Sequence, residues 1–220
     1  MLKLIANLQI LHKIYSKFVI FFPIFLIHNN AKYITIKKVL FNLWIDGIKG
    51  DCIEFGIFTG SSFRHTINVE YKLDKQSDTN FYGLDSFEGF PESSHHFFKQ
   101  TDFIANENKV KKIKRINKDK IHIVKGFFDE SLKSNILKDV KKFKFVHLDC
   151  DLYVSSIDPF KYIKSRLVIG AYIMIDDFTN IDKDGKSIRE AFYEEFSNHD
   201  FELVGFFGVD GVVIRYFGIK

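Results

Sequence analysis

Short apolar runs alternate with stretches of helical spacing through most of this chain. Residues 51–55, 80–84, 121–124, 143–148 and 171–175 are compact and rich in Ile, Val, Phe and Leu, which predicts buried parallel strands. Between them, residues 62–73, 106–116, 132–140, 156–167 and 186–197 place apolar side chains about every third or fourth position, which predicts helices. An earlier helix is expected over 34–48, with Leu40, Leu43 and Trp44 apolar and with Gly47 and Gly50 as stop signals. The last two apolar segments, 202–208 and 212–217, flank Val209-Asp210-Gly211, and Asp-Gly between such runs signals a hairpin. Strand and helix in alternation define an α/β fold of the Rossmann-like kind, a mainly parallel sheet closed here by an antiparallel C-terminal hairpin.

The amino terminus follows another pattern. Leu4, Ile5, Leu8, Leu11 and Tyr15 share one helical face, and residues 18–27 form an apolar run interrupted by Pro23. That run is too short to span a bilayer and lacks the cleavage site of a secretory signal. Two readings stand. The segment packs on the domain or on a second subunit, which predicts a homo-oligomer, or it lies in the membrane surface with Lys3, His12, Lys13 and Lys17 toward headgroups. The first is preferred. A polar break at 28–32 sets the boundary between an extension, 1–33, and a single domain, 34–220.

Composition alters this picture little. The chain has 220 residues, 46% hydrophobic and 27% charged, within globular usage. Its two cysteines, Cys52 and Cys150, fall at predicted strands and suit a reducing, cytoplasmic setting, with peripheral membrane contact through the N-terminal segment as the variant. The formal charge of +4 gathers in residues 109–125, which carry eight Lys or Arg against one Asp. No aromatic residues interleave that run, so it reads as a solvated helix face and no nucleic-acid partner is expected.

Chemistry concentrates where the strands end. Asp149 and Asp151 follow the strand at 143–148, and Asp176 and Asp177 follow the one at 171–175. Open α/β sheets bind ligands along that carboxyl edge. Clustered carboxylates repel unless a cation or a hydrogen-bond network offsets them, and magnesium prefers such oxygen ligands. Helix capping is the plainer role for any one of them. The first strand ends in Glu54-Phe55-Gly56-Ile57-Phe58-Thr59-Gly60-Ser61-Ser62. Gly56 permits a tight turn, while Gly60, Ser61 and Ser62 open a helix whose free amides can meet an anionic group. Asp85 ends the second strand and suits the hydroxyls of a ribose, or else caps the turn that follows.

The segments GDCIEFGIFTGSSF, YGLDSFEGFPE, IVKGFFDESL, FVHLDCDLYVSS and AYIMIDDF, in that order, resemble the macrocin O-methyltransferase family. These are metal-dependent sugar O-methyltransferases with the class I S-adenosylmethionine-dependent fold. The resemblance runs from about residue 34 to 216. It implies S-adenosylmethionine and Mg2+ as cofactors and a sugar-containing small molecule or glycan as acceptor. It further implies that Glu54, Gly56 and Gly60 line the methionine part of the cofactor, Asp85 its ribose, and Ser86 and Phe87 its adenosine side. Asp149, Asp176 and Asp177 would then hold the magnesium, with Asp149 or Asp151 receiving the acceptor's proton. His95 and His96 lie in the loop where an acceptor lid is expected. A nucleotide-sugar glycosyltransferase using Asp149-Cys150-Asp151 to hold a metal is the alternative.

Overall fold

The computed structural model describes residues 9–91, 95–115 and 119–218. Five parallel strands are present where apolar runs predict them: β1 Asp51–Phe55, β2 Phe81–Asp85, β3 Ile121–Lys125, β4 Phe143–Leu148 and β5 Leu167–Ile175. Strands β6 Phe201–Phe207 and β7 Gly211–Tyr216 form the expected hairpin, and β7 pairs antiparallel with β5. The sheet order is β3-β2-β1-β4-β5-β7-β6. Strand β5 begins four residues earlier than expected because Leu167 already pairs with Phe143 of β4.

The helices are α1 Gln9–Ile20, α2 Ile24–Ile45, α3 Ser61–Leu73, α4 Glu107–Lys111, α5 Phe128–Ser131, α6 Asn135–Lys138, α7 Tyr153–Lys164 and α8 Ile188–Glu195. They cover both faces of the sheet. On one face α7 and α8 bring Phe160, Ile163, Ile188 and Phe192 against Phe55, Val146 and Ile173. On the other, α2 and α3 bring Ile36, Leu40, Leu43, Phe63 and Ile67 against Cys52, Phe145 and Met174. Phenylalanine does much of this filling, with edge-to-face pairs such as Phe160–Phe192, whose ring centroids lie 5.4 Å apart.

Three expectations about helices change. The polar stretch 28–32 is not a break: α2 runs through it, starting just after Pro23. No glycine or proline interrupts residues 24–45, and two of the polar side chains, His28 and Lys32, face the carboxylates of Asp176 and Asp149 instead of solvent. The boundary expected at 33/34 therefore falls inside a continuous helix. Leu40 and Leu43 are buried as expected, but Trp44 is 50% exposed. The helix expected over 132–140 is replaced by the short α5 and α6, because Ser134 between them takes an extended backbone. The Lys-rich helix is a single turn followed by a 3-10 turn, Lys112–Arg115. It keeps Val110 and Ile113 buried and pairs Lys111 with Glu107 at 2.5 Å. Leu4, Ile5, Leu8 and Lys3, from the N-terminal face, lie outside the described residues.

Candidate active site

Strand order reverses between β1 and β4, since β2 continues from one side of β1 and β4 from the other. Open α/β sheets place ligands at such a reversal, outside the carboxyl ends of the strands. A cleft of about 1220 Å³ lies there, larger than the roughly 300–1,000 Å³ of single-ligand pockets. It has room for a cofactor and an acceptor together.

Backbone hydrogen bonds carry the sheet past the strand ends and so fix the acidic residues. The Asp149 amide donates to the Phe55 carbonyl at 2.9 Å, and the Asp176 amide to the Leu148 carbonyl at 2.9 Å. Gly56 has φ +83°, and a Cβ there would lie 1.8 Å from the Asp149 carbonyl oxygen. Only glycine allows β1 and β4 to end this close together.

The four aspartates divide into two kinds. Ligand atoms of His147, Asp149 and Asp176 lie within 4.8 Å of one another, a grouping with metal-site spacing among the described residues. Lys32 of α2 enters the gap: its Nζ is 2.7 Å from Asp149 Oδ2 and 2.5 Å from Asp176 Oδ2. His28, one turn earlier, places Nε2 3.1 Å from the same Asp176 oxygen. The Val209 amide donates to His28 Nδ1 at 3.2 Å, which assigns the proton to Nε2 in the neutral ring. Burial alone would raise the Asp176 pKa, but the His28 hydrogen bond and the Lys32 charge outweigh it and hold the carboxyl well below the usual range. Burial likewise opposes the charge on Lys32, and the two carboxylates more than offset it, so the ammonium stays protonated far above neutral pH. Asp149 is raised by burial, which outweighs the opposing charge of Lys32.

Asp177 stands outside that grouping. It accepts from the Asn180 side-chain amide at 3.2 Å, and burial with the nearby Asp176 and Asp149 charges pushes its pKa up to about 6. Burial and then the Asp177 charge push Asp151 well up. Asp151 and Asp177 both have left-handed backbones, with φ 61° and 48°, a strained state that tends to gather at functional sites. The hairpin supports this loop from below: Asp210 accepts from the Thr179 amide at 2.6 Å and hydroxyl at 2.8 Å.

The residues expected to hold the cofactor are split as well. Gly56, Ser61, Ser62, Asp85 and Ser86 line the cleft, whereas Glu54, Gly60 and Phe87 are not among its lining. Glu54 is buried, accepts from Ser62 Oγ at 2.5 Å, and has its other oxygen 3.3 Å from His147 Nδ1 without hydrogen-bond alignment. Burial opposes protonation of His147, but Glu54 offsets this and raises its pKa. Asp85 accepts from the Phe58 amide at 2.7 Å and the Phe87 amide at 2.6 Å. Both phenylalanines have positive φ, 46° and 57°, so one carboxylate shapes the two turns that frame the cleft. It keeps lone pairs for a ligand. Gly60, at φ +76°, packs against Ile113.

Beyond these lies an aromatic wall. His95 stacks on Phe90 at 5.6 Å and meets Phe98 at 4.7 Å, while Phe103 contacts Phe58, Phe90 and Phe98. His95 and Phe97 line the cleft; His96 does not. Sequence reasoning missed His28 and Lys32, whose i, i+4 spacing, which puts both on one face of a helix, was the available signal.

The sequence matches a model of the macrocin O-methyltransferase (TylF) family over residues 30–202. It is 28% identical over 148 residues to 8-demethyl-8-(2,3-dimethoxy-alpha-L-rhamnosyl)-tetracenomycin-C 4'-O-methyltransferase of Streptomyces olivaceus, a match covering 60% of this chain and 54% of that protein. The chain thus spans about half the length of that curated relative. Among solved structures it is similar to the O-methyltransferase NovP, with a TM-score of 0.70, 18% identity and coverage of 85% and 80% of the two chains. It is also similar to the calicheamicin methyltransferase CalS11, with a TM-score of 0.71, 15% identity and coverage of 86% and 79%. The Bacillus cereus O-methyltransferase solved with SAH matches with a TM-score of 0.57 at 17% identity, covering 83% and 80%. At these identities the structural likeness speaks for the fold, which is that of the class I S-adenosylmethionine-dependent methyltransferases.

Proposed function

This chain belongs to the macrocin O-methyltransferase family, and from that membership we propose an S-adenosylmethionine-dependent O-methyltransferase acting on a hydroxyl of a sugar-bearing acceptor. The charge of the cleft is the observation that supports it most. Eight acidic residues line it against one lysine, Lys32, among the described residues. The chain as a whole is formally +4. Such a cleft attracts a sulfonium cation and repels a nucleotide diphosphate, which weighs against the glycosyltransferase alternative.

Each lining residue then has a task. Asp85, held by two backbone amides, turns its remaining lone pairs to the ribose hydroxyls. Gly56 keeps Cβ atoms out of the space beside Asp149, where the methionine end would lie. S-adenosylmethionine supplies an electrophilic methyl: the acceptor oxygen gains the C–O bond as the C–S bond breaks and its electron pair returns to sulfur. Asp149 or Asp151 receives the hydroxyl proton, both lying on the cleft. The aromatic wall of Phe58, Phe98 and Phe103 offers apolar faces to the acceptor.

Magnesium is part of this reading. The oxygens of Asp149 and Asp176 suit a hard divalent ion, and His147 lies within reach of the same point. Asp177 lies outside that grouping and accepts from Asn180, so it would have to turn to join them. A divalent ion held by these residues would supply Lewis-acid chemistry, lowering the pKa of the acceptor hydroxyl. We place the N-terminal segment at a contact with a second subunit, the alternative being a membrane surface, because Tyr15, Phe18, Ile20 and Phe21 are exposed. No helix among the described residues is long and apolar enough to cross a membrane.

S-adenosylhomocysteine at a hundredfold excess over its Kd should stabilise the fold by about 2.7 kcal/mol. A UDP-sugar should leave the melting temperature unchanged. The opposite pattern would move the assignment to the glycosyltransferase. Labelled methyl transfer to sugar-bearing acceptors then tests the reaction itself.

A further inference from the structure

The gap between Asp149 and Asp176 already contains a cation, and the chain itself provides it. Lys32 Nζ touches Oδ2 of both residues at 2.7 and 2.5 Å. Its side chain is 9% exposed and that of Asp176 is 2% exposed. Magnesium binds carboxylate oxygens at about 2.0–2.1 Å. An ion on those two oxygens would therefore sit almost on top of the ammonium nitrogen, and two positive charges at that separation repel strongly.

The lysine is held in place by more than its partners. Below it α2 buries Ile36, Val39, Leu40 and Leu43 against the sheet, so the backbone that carries Lys32 is anchored. His28, one turn away, shares the same Asp176 oxygen and is tied to the β6–β7 turn through Val209. A Cβ on Gly208 would lie 2.2 Å from His28 Nδ1, so that turn is seated tightly on the imidazole. Lysine is almost never buried this deeply unless it is paired.

We propose that Lys32 is the resident cation of the Asp149–Asp176 pair and excludes a divalent ion from it, so that an ion binds only when Lys32 withdraws. This rests on reading the pair as a cation site, as in the function proposed above. Withdrawal of Lys32 breaks its ion pairs with both strand ends while His28 keeps α2 tied to Asp176, which makes occupancy by an ion and the conformation of the Lys32 side chain one linked equilibrium. The four-carbon stem of lysine can swing without moving the helix backbone, and that makes the exchange feasible.

The test uses Mn2+ as probe with the full chain and follows the spin-resonance signal of free Mn2+. Lys32→Gln should bind one Mn2+ at least tenfold more tightly than the unaltered protein, and Asp176→Asn should abolish the binding in both backgrounds. Equal affinity with and without Lys32, or no binding to the Lys32→Gln protein, overturns the proposal. Should Lys32→Gln fail to fold, the unaltered protein still decides: acetic anhydride should modify Lys32 slowly without Mn2+ and faster with it, read by peptide mass, and a rate that saturating Mn2+ leaves unchanged overturns it. The S-adenosylhomocysteine melting shift, measured on the same samples, separates the two ideas. A shift that persists while the Mn2+ result fails removes only the role of Lys32; no shift removes the methyltransferase reading itself.

Discussion

Replacing Gly56 with alanine isolates the contact on which the cleft geometry depends. The added Cβ would lie 1.8 Å from the Asp149 carbonyl oxygen, and such contacts do not occur below 3.0 Å, so the ends of β1 and β4 must separate by about 1.2 Å. That movement strains two backbone hydrogen bonds, Asp149 to Phe55 and Gly56 to Leu84, both at 2.9 Å. Losing them costs about 0.5–1.5 kcal/mol each. A left-handed alanine adds about 1–2 kcal/mol. Together these predict about 2–5 kcal/mol of lost stability, or a melting temperature lower by about 5–15 °C for a domain of this size. Because a displacement of about 1 Å at a reacting centre can cost about a hundredfold in rate, methyl transfer should fall at least that far even where the protein stays folded. Circular dichroism melts and single-turnover transfer of labelled methyl read the two effects separately. A Gly56→Ala protein that melts within a degree or two of the unaltered one and transfers methyl normally would show that β1 and β4 do not approach as described.

Three further outcomes follow from other parts of the molecule. Asp85→Ala leaves the amides of Phe58 and Phe87 without an acceptor, so S-adenosylhomocysteine affinity by calorimetry should drop at least tenfold, with Asp85→Asn intermediate; a normal Kd for the alanine protein removes Asp85 from the site. Burial, and then the neighbouring His96, depress the pKa of His95 below 6.5, while Nδ1 accepts from the amides of Phe97 and Phe98. The unfolded loop therefore takes up a proton first as pH falls: its packing is fully favoured above 6.5 and weakens below. Hydrogen exchange at Phe97 and Phe98, corrected for intrinsic rates, should accelerate between about pH 7.5 and pH 5, and His95→Gln should lose that pH dependence; unchanged protection contradicts the assignment. Finally, Phe18→Ser with Phe21→Ser should shift the sedimentation coefficient toward the monomer, since both rings are exposed. If sedimentation is unaltered, binding to anionic vesicles becomes the reading to measure. Truncation is the wrong tool here, because a cut at residue 33 would also remove His28 and Lys32 from the site.

Much of this protein was legible one residue at a time. Apolar runs of strand length, separated by helical spacing, specify the parallel sheet, and Asp-Gly at 210–211 specifies the hairpin, because burial on both faces of a strand and the geometry of a tight turn each restrict local composition. The same local logic places Gly56, Asp85, Asp149 and Asp176 at one edge, since each directly follows or ends a strand. What local pattern could not contain is which side chains meet across that edge. Lys32 reaches Asp149 over 117 positions and His28 reaches Asp176 over 148, and both sit in a stretch whose polarity reads as a break. Adjacent aspartates look equivalent in a string, yet Asp176 turns toward Lys32 and His28 while Asp177 accepts from Asn180. Glu54, one residue before the end of β1, is carried into the interior toward Ser62 and His147. Period and composition determine which face a residue occupies; the partner it finds there depends on how α2 is laid across the sheet, and that is settled only when the whole chain has packed.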